Sequence, residues 1–208
     1  MGETGGPRAP RGRPRSERAR AAVLAAATEL LISGGVQAVT MEGIAARAGV
    51  SKSTVYKWWP TRGHVMLDSL SHVSGSAHTG QSGGASLADA LTAEVGALVR
   101  VFRDTAAGPL AADLVAAAQA DPGIRTALDE RWVHPRRATC ARLLHEAVAG
   151  GLLRPDTDVP AAVDQLFAPV YHRLLLGHAP LAGDLAATLV RQLLDGLGDG
   201  RGRPGEDR

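Results

Sequence analysis

Residues Thr40 to Arg62, TMEGIAARAGVSKSTVYKWWPTR, decide the fold. Thr40 is a hydroxyl N-cap for a short helix, Met41 to Ala48, with Glu42 in the first turn, where the helix dipole favours an anion. Gly49 interrupts this helix and can take positive φ at little cost, as a tight helix-to-helix turn requires. Ser51 caps a further helix running to about Trp59, and Pro60 ends it, because helices rarely continue through the residue before proline. Ala45 is small enough for a close crossing, and Ile44, Val50 and Val55 supply a shared core. Two short helices joined this way form a helix-turn-helix.

The second of these helices divides into two faces. Val55 and Trp59 are four apart and point inward, whereas Ser53, Tyr56 and Lys57 point outward. Lys52, Ser53 and Thr54 stand in the first turn, where an inserted helix brings side chains to base edges. Lysine donates to guanine O6 and N7, and serine and threonine donate or accept. Tyr56 is long enough to reach a phosphate. Backbone N–H groups at the helix starts near Thr40, Ser51 and Arg62 also favour phosphate. Three capped helices in an unrelated bundle would have no need of this basic, hydroxyl-rich outer face.

Further out, a helix begins at Ser16, with Val23, Ala27, Leu30 and Leu31 at helical spacing, and Gly34-Gly35 stops it. A fourth helix starts near Arg62 and carries Met66, Leu70 and Val73. Ser74 to Ala85 is a Gly/Ser joint. Ser86 then caps a helix bearing Leu87, Leu91, Leu98 and Phe102, broken at Gly108-Pro109. Further helices are expected at about 110–119, 123–149, 160–177 and 183–197. Pro135 and Pro169 fall inside two of them and should bend them, whether or not the bends open space for a ligand. No β alternation is found. The expected fold is all-α: a basic disordered arm (1–15), an N-terminal three-helix helix-turn-helix domain (16–73), a C-terminal helical ligand-binding and dimerisation domain (86–198) and a disordered tail (199–208).

Charge follows the same division. Residues 1–62 carry eight Arg and two Lys against four Glu, a net +6, although the whole chain of 208 residues is only +2. A basic front on an acidic body suits a front that meets a polyanion. Hydrophobic content of 45% is enough for a core. The longest apolar run, Ala21 to Ala27, is far short of the ~18 residues a bilayer crossing needs. One cysteine, Cys140, makes neither an internal disulfide nor a cysteine-rich zinc site. The Arg-rich start has no apolar segment behind it. A cytoplasmic protein with no membrane partner is expected.

Thr40 to Arg62 resembles the DNA-binding segment of the TetR family of bacterial transcriptional regulators, in its small-residue helix, its AGVS turn and Tyr56-x-x-Trp59. That family often opens its fourth helix with Lys-Glu, where this chain has Arg62-Gly63. Arg62 keeps the phosphate-binding charge, and Gly63 weakens the helix start. Trp58 takes a place usually given to Arg or His, where it either pads the core edge, the preferred reading, or lies against the sugar-phosphate backbone. RPDTD at Arg154 to Asp158 and PVYHRLLLGHAPL at Pro169 to Leu181 are similar to the C-terminal domain of one branch of the family, so the likeness covers about residues 16–197. It implies a homodimer, a palindromic double-stranded DNA operator and a small-molecule effector held by the C-terminal helices.

The expected function is therefore a repressor released from its operator by a ligand. The DNA contacts would come from Thr40, Ser51, Lys52, Ser53, Thr54, Tyr56, Lys57 and Arg62. Arg11 and Arg13 would join them if the arm's Arg-Gly-Arg-Pro enters the minor groove rather than serving as a solubilising tail. The aromatics Phe102, Trp132, Phe167 and Tyr171 are candidate pocket lining, with Arg100, His145, His172 and Arg173 as possible polar partners. A nucleoid-type DNA-binding protein without effector response is the alternative. An enzyme is not expected. Gly80 to Gly84 matches G-x-S-x-G but lies in a linker with no strand before it, the seven histidines form no metal-ligand pair, and no phosphate-binding loop or other cofactor motif exists. Cys140 reads as a small apolar core residue facing Leu144, with a redox role requiring a second subunit.

Overall fold

The computed structural model describes residues 13–74 and 86–198. Ten α-helices and one π-helical turn make up this part: α1 (Arg13–Ala38), α2 (Met41–Ala48), α3 (Lys52–Tyr56), α4 (Arg62–Val73), α5 (Leu87–Asp104), α6 (Ala107–Ala118), α7 (Pro122–Leu128), the π turn (Asp129–Val133), α8 (His134–Ala149), α9 (Val159–Leu176) and α10 (Leu185–Leu197). The all-α expectation holds, and no strand forms among the described residues. Most of the arm, including Arg11, and the joint with Gly80 to Gly84 lie outside them, as does the tail from 199.

The three-helix unit forms for the reasons its sequence gives. In α1, Val23, Ala27 and Leu31 are fully buried against α2 and α4. The helix starts at Arg13, before Ser16, and breaks at Gly35, where φ is 67°. Ser16–Ala38 is long and apolar enough to cross a bilayer by length and composition, but its stripe at helical spacing is spent on the core of this bundle.

Thr40 Oγ1 accepts from Gly43 N at 3.0 Å and caps α2. Gly49 at φ 65°, ψ 32° closes it, and Val50 N donates back to the Ala45 carbonyl at 3.1 Å. Ser51 Oγ accepts from Thr54 N at 3.2 Å and caps α3. This helix is shorter than expected. It ends at Tyr56, although the Trp58 and Trp59 amides still reach the Val55 carbonyl at 3.1 Å and so hold Trp59 over the same core.

The second half departs from the sequence in two places. Thr105 and not Gly108-Pro109 ends α5, and Gly108 and Pro109 lie in the first turn of α6. The single helix expected over 123–149 is three segments. Pro135 has no N–H for the Arg131 carbonyl, and the His134 amide reaches back five residues to the Asp129 carbonyl, which widens the helix into a π turn. Pro169, by contrast, is carried inside a continuous α9. Helix α5 packs against α6, α8, α9 and α10, and α4 against α1, α6, α7 and the π turn. One apolar cluster runs from Val23 to Leu193 through both halves.

Candidate nucleic-acid interface and ligand cavity

The two faces of α3 separate as expected. Val55 and Trp59 are 0% and 1% exposed, whereas Tyr56 is 51% exposed and Ser51, Lys52, Ser53 and Lys57 face solvent. Removing Val55 and Trp59 from water stabilises the placement of α3 by about 1.5–3 kcal/mol per side chain. Thr40 is exposed at the start of α2, and Thr54 is half-buried. The hydroxyls of Ser53 and Thr54 lie 2.9 and 2.8 Å from that of Ser51, so the first turn presents a connected hydroxyl cluster. Trp58 packs edge-on to Trp59 with ring centroids 5.7 Å apart, as padding at the core edge.

Two of the expected DNA ligands already have anionic partners. Lys52 Nζ pairs with Glu42 on α2. Their hydrogen bond, more than their Coulomb attraction, raises the lysine pKa and lowers that of the glutamate. Lys52 must leave this exposed pair, or share it, to meet a base. Arg62 is paired as well: its Nη2 donates to Asp121 Oδ2, at the N-cap of α7, at 2.9 Å. That bond is the chief cause of the low Asp121 pKa, and the other oxygen of Asp121 caps α7 by accepting from Gly123 and Ile124. The backbone of α1 begins at Arg13, and Arg11 lies outside the described residues.

Gly63 also has a different part from a weakened helix start. A Cβ there would stand 2.8 Å from the Gly123 carbonyl oxygen and 2.9 Å from Ile124 Cα. The missing side chain lets α4 lie directly against the backbone of α7. Two more contacts join α4 to the second half. Asp68 accepts from Arg131 Nη1 and from Trp59 Nε1, both at 2.8 Å. His64 is 7% exposed and sits between the Thr61 hydroxyl at 2.8 Å and Glu130 at 3.3 Å.

In the second half three of the four candidate aromatics, Phe102, Trp132 and Tyr171, gather into one cluster. Phe102 stacks on Trp132 with centroids 6.2 Å apart and meets Tyr171 edge-on at 5.4 Å, and Trp132 Nε1 donates to the Tyr171 hydroxyl at 3.1 Å. Burial raises the Tyr171 pKa. A cavity of about 340 Å³ opens beside the cluster between α6, α8 and α9. Phe167 and Tyr171 line it with Val115, Leu128, Val133 and Arg136, while Phe102 and Trp132 stand outside its lining and support Tyr171.

The polar partners are not those expected. Arg100 is exposed on α5, Arg173 donates to the Pro180 carbonyl at 2.7 Å, and His172 packs on His178 at 4.5 Å. His145 lines a smaller space of about 200 Å³ with His134. The cavity's polar groups are Arg136, Arg137 and Asp164, the last two paired with each other. The spacing of Trp132 and Arg136, four apart on one helix, was the available signal. Cys140 is fully buried, and burial pushes its thiol up to about 12. Among the described residues no group of three or more His, Cys, Asp or Glu could hold a metal ion.

An exposed helix presenting Tyr56 and Lys57 in a helix-turn-helix, fused to an all-helical body with a cavity, defines a DNA-binding transcriptional regulator. Residues 23–67 match the model for bacterial regulatory proteins of the tetR family, and residues 83–193 the model for the tetracyclin repressor-like C-terminal domain. The chain is a member of the TetR family of transcriptional regulators. It is 34% identical to the uncharacterized helix-turn-helix regulator YdeS of Bacillus subtilis, over 90% of this chain and 93% of that one. It is 30% identical to the DNA-binding transcriptional repressor TetR of Mycobacteroides abscessus, over 86% and 94%. The crystal structure of the TetR family regulator SCO0332 is similar at a TM-score of 0.69 and 39% identity, over 86% of this chain and 98% of that one. A family structure from Mesorhizobium loti aligns at a TM-score of 0.65 with 27% identity, over 88% and 98%.

Proposed function

We propose that the protein is a homodimeric repressor that leaves a palindromic operator when a small molecule occupies its second half. The outward face of α3 carries the reading: Ser53, Tyr56 and Lys57 are exposed on a helix whose back is fixed by Val55 and Trp59. Phosphate contacts supply much of the affinity, and base contacts choose the site. Repression is the sign suggested by the name of the M. abscessus relative. Pairing through α9 and α10 is supported by Leu175 and Leu176, which are 45% and 65% exposed. Two α3 helices would then address half-sites about 34 Å apart, or a multiple of a helical turn.

The π turn is where a ligand would act on DNA binding. Its Glu130 and Arg131 contact His64 and Asp68 on α4, while Val133 lines the cavity and Trp132 holds Tyr171. A ligand that displaces this turn pulls α4 through Asp68, and Asp68 holds Trp59 behind α3. Operator release by a factor of ~100 needs a coupling of about 2.7 kcal/mol.

The experiment is genomic footprinting of the tagged protein, followed by fluorescence anisotropy on the sites found. Sites with two-fold symmetry, and affinity lost on Tyr56→Ala, are expected. Binding without sequence preference would leave the nucleoid-type alternative.

A further inference from the structure

The cavity's lining is mostly apolar, and Arg136 is its one buried charged side chain. Arg136 is 8% exposed and lines the space. Its guanidinium carbon sits over the Trp132 ring, 3.9 Å from the centroid. Its one hydrogen bond among the described residues runs from Nη1 to the Trp132 carbonyl at 2.8 Å. That carbonyl stands in the π turn, where the helix ladder is out of step. A guanidinium has five N–H donors in a planar fork, and its rim is free for a ligand when its face is stacked. Burial, the largest effect, works against the charge, while Tyr171 and then Glu94 on α5 favour it through space. Arg137 at the rim is different, because Asp164 already neutralises it.

We propose that this cavity binds a small amphipathic carboxylate, with its apolar body against Phe167, Val115 and Val133 and its charge on the in-plane edge of Arg136. The proposal rests on the ligand-responsive reading above and names the ligand class for that site. A buried cation without an ion-pair partner is electrostatically costly, and an incoming carboxylate removes that cost by bidentate hydrogen bonding. One fixed cation, partly offset by Glu94, suits a single negative charge better than a doubly charged phosphate. A volume of 340 Å³ is near the lower end of small-molecule pockets (about 300–1,000 Å³), so the body is a short alkyl or aryl-alkyl group.

The test is calorimetric titration of the full chain with octanoate and 4-phenylbutyrate, each beside its uncharged alcohol. Each acid should bind at least about tenfold more tightly than its alcohol, a difference of about 1.4 kcal/mol. R136M should bring the acid down to the alcohol's affinity and leave the alcohol unchanged. Val115→Phe, which fills the cavity from α6, should abolish both, with circular dichroism melting to show that each variant folds. The acid-to-alcohol comparison needs no substitution, so it stands even if R136M fails to fold. Acids that bind no better than their alcohols overturn the carboxylate assignment and leave the cavity as a site for neutral ligands. No binding by any of the four compounds, or binding that survives Val115→Phe, overturns the cavity as the site. Acids that bind through Arg136 and leave operator affinity unchanged uphold this inference and overturn ligand-controlled release.

Discussion

Trp59 Nε1 donates to Asp68 at 2.8 Å, so the anchor behind α3 is tied to the middle of α4. The other oxygen of Asp68 takes Arg131 from the π turn at 2.8 Å, and Arg20 from α1 approaches within 3.6 Å. One half-buried carboxylate thus joins three elements that are distant in sequence, and the neighbouring Trp132 continues the line to Tyr171.

Asp68→Ala should therefore do more than a surface substitution. Charged hydrogen bonds of this kind contribute about 1.5–3 kcal/mol each. Losing two such bonds, the variant should melt at least about 6 °C lower, at about 2–4 °C per kcal/mol for a chain of this size. Its operator affinity should fall as well, because the Trp59 indole loses the hydrogen bond that ties it to α4. An unchanged melting temperature would mean that the Trp59–Asp68–Arg131 link does not form in solution.

Gly63→Val tests the seam between α4 and α7. The added carbons meet the Gly123 carbonyl and Ile124 Cα, which are backbone atoms and cannot rotate away. Overpacking of this kind costs about 1–3 kcal/mol. Thermal unfolding should show that loss, together with weaker pairing of Arg62 to Asp121.

Substitutions on the two faces of α3 should separate binding from folding. Tyr56→Ala and Lys57→Ala remove exposed groups and should leave the melting temperature within about 1 °C while weakening operator binding. Lys57→Ala should also reduce the slope of log affinity against log salt by about one, if it meets a phosphate. Trp59→Ala removes a fully buried side chain and should cost about 3–5 kcal/mol.

Cys140 should resist thiol reagents at pH 8 in the native protein and react once the chain is unfolded. Its ordinary value of 9.0 is raised to about 12 by burial, so almost no thiolate exists near neutrality. The folded state thus holds this proton more tightly than the unfolded one. The resulting stability is fully present below about pH 9 and is lost progressively as pH rises towards 12. Denaturant titrations at pH 8 and 10.5 should show the decline, and Cys140→Ala should flatten it.

What the sequence determined by itself was local. Thr40, Gly49, Ser51 and Pro60 mark helix ends by cap chemistry and backbone freedom, which act within four residues, and Val55 and Trp59 mark the inner face by helical period. The all-α class and the TetR resemblance follow from the same short-range signals.

Tertiary structure alone decided which charges meet. Arg62 finds Asp121 fifty-nine positions away, Asp68 finds Arg131, and Gly63 matters because α7 lies against it. No periodicity carries such pairings, since they depend on how helices cross and not on how each one winds. The π turn was half legible. Pro135 announced a disturbed helix and the spacing of Trp132 and Arg136 a local contact, but the cavity beside them exists only once α6, α8 and α9 have packed.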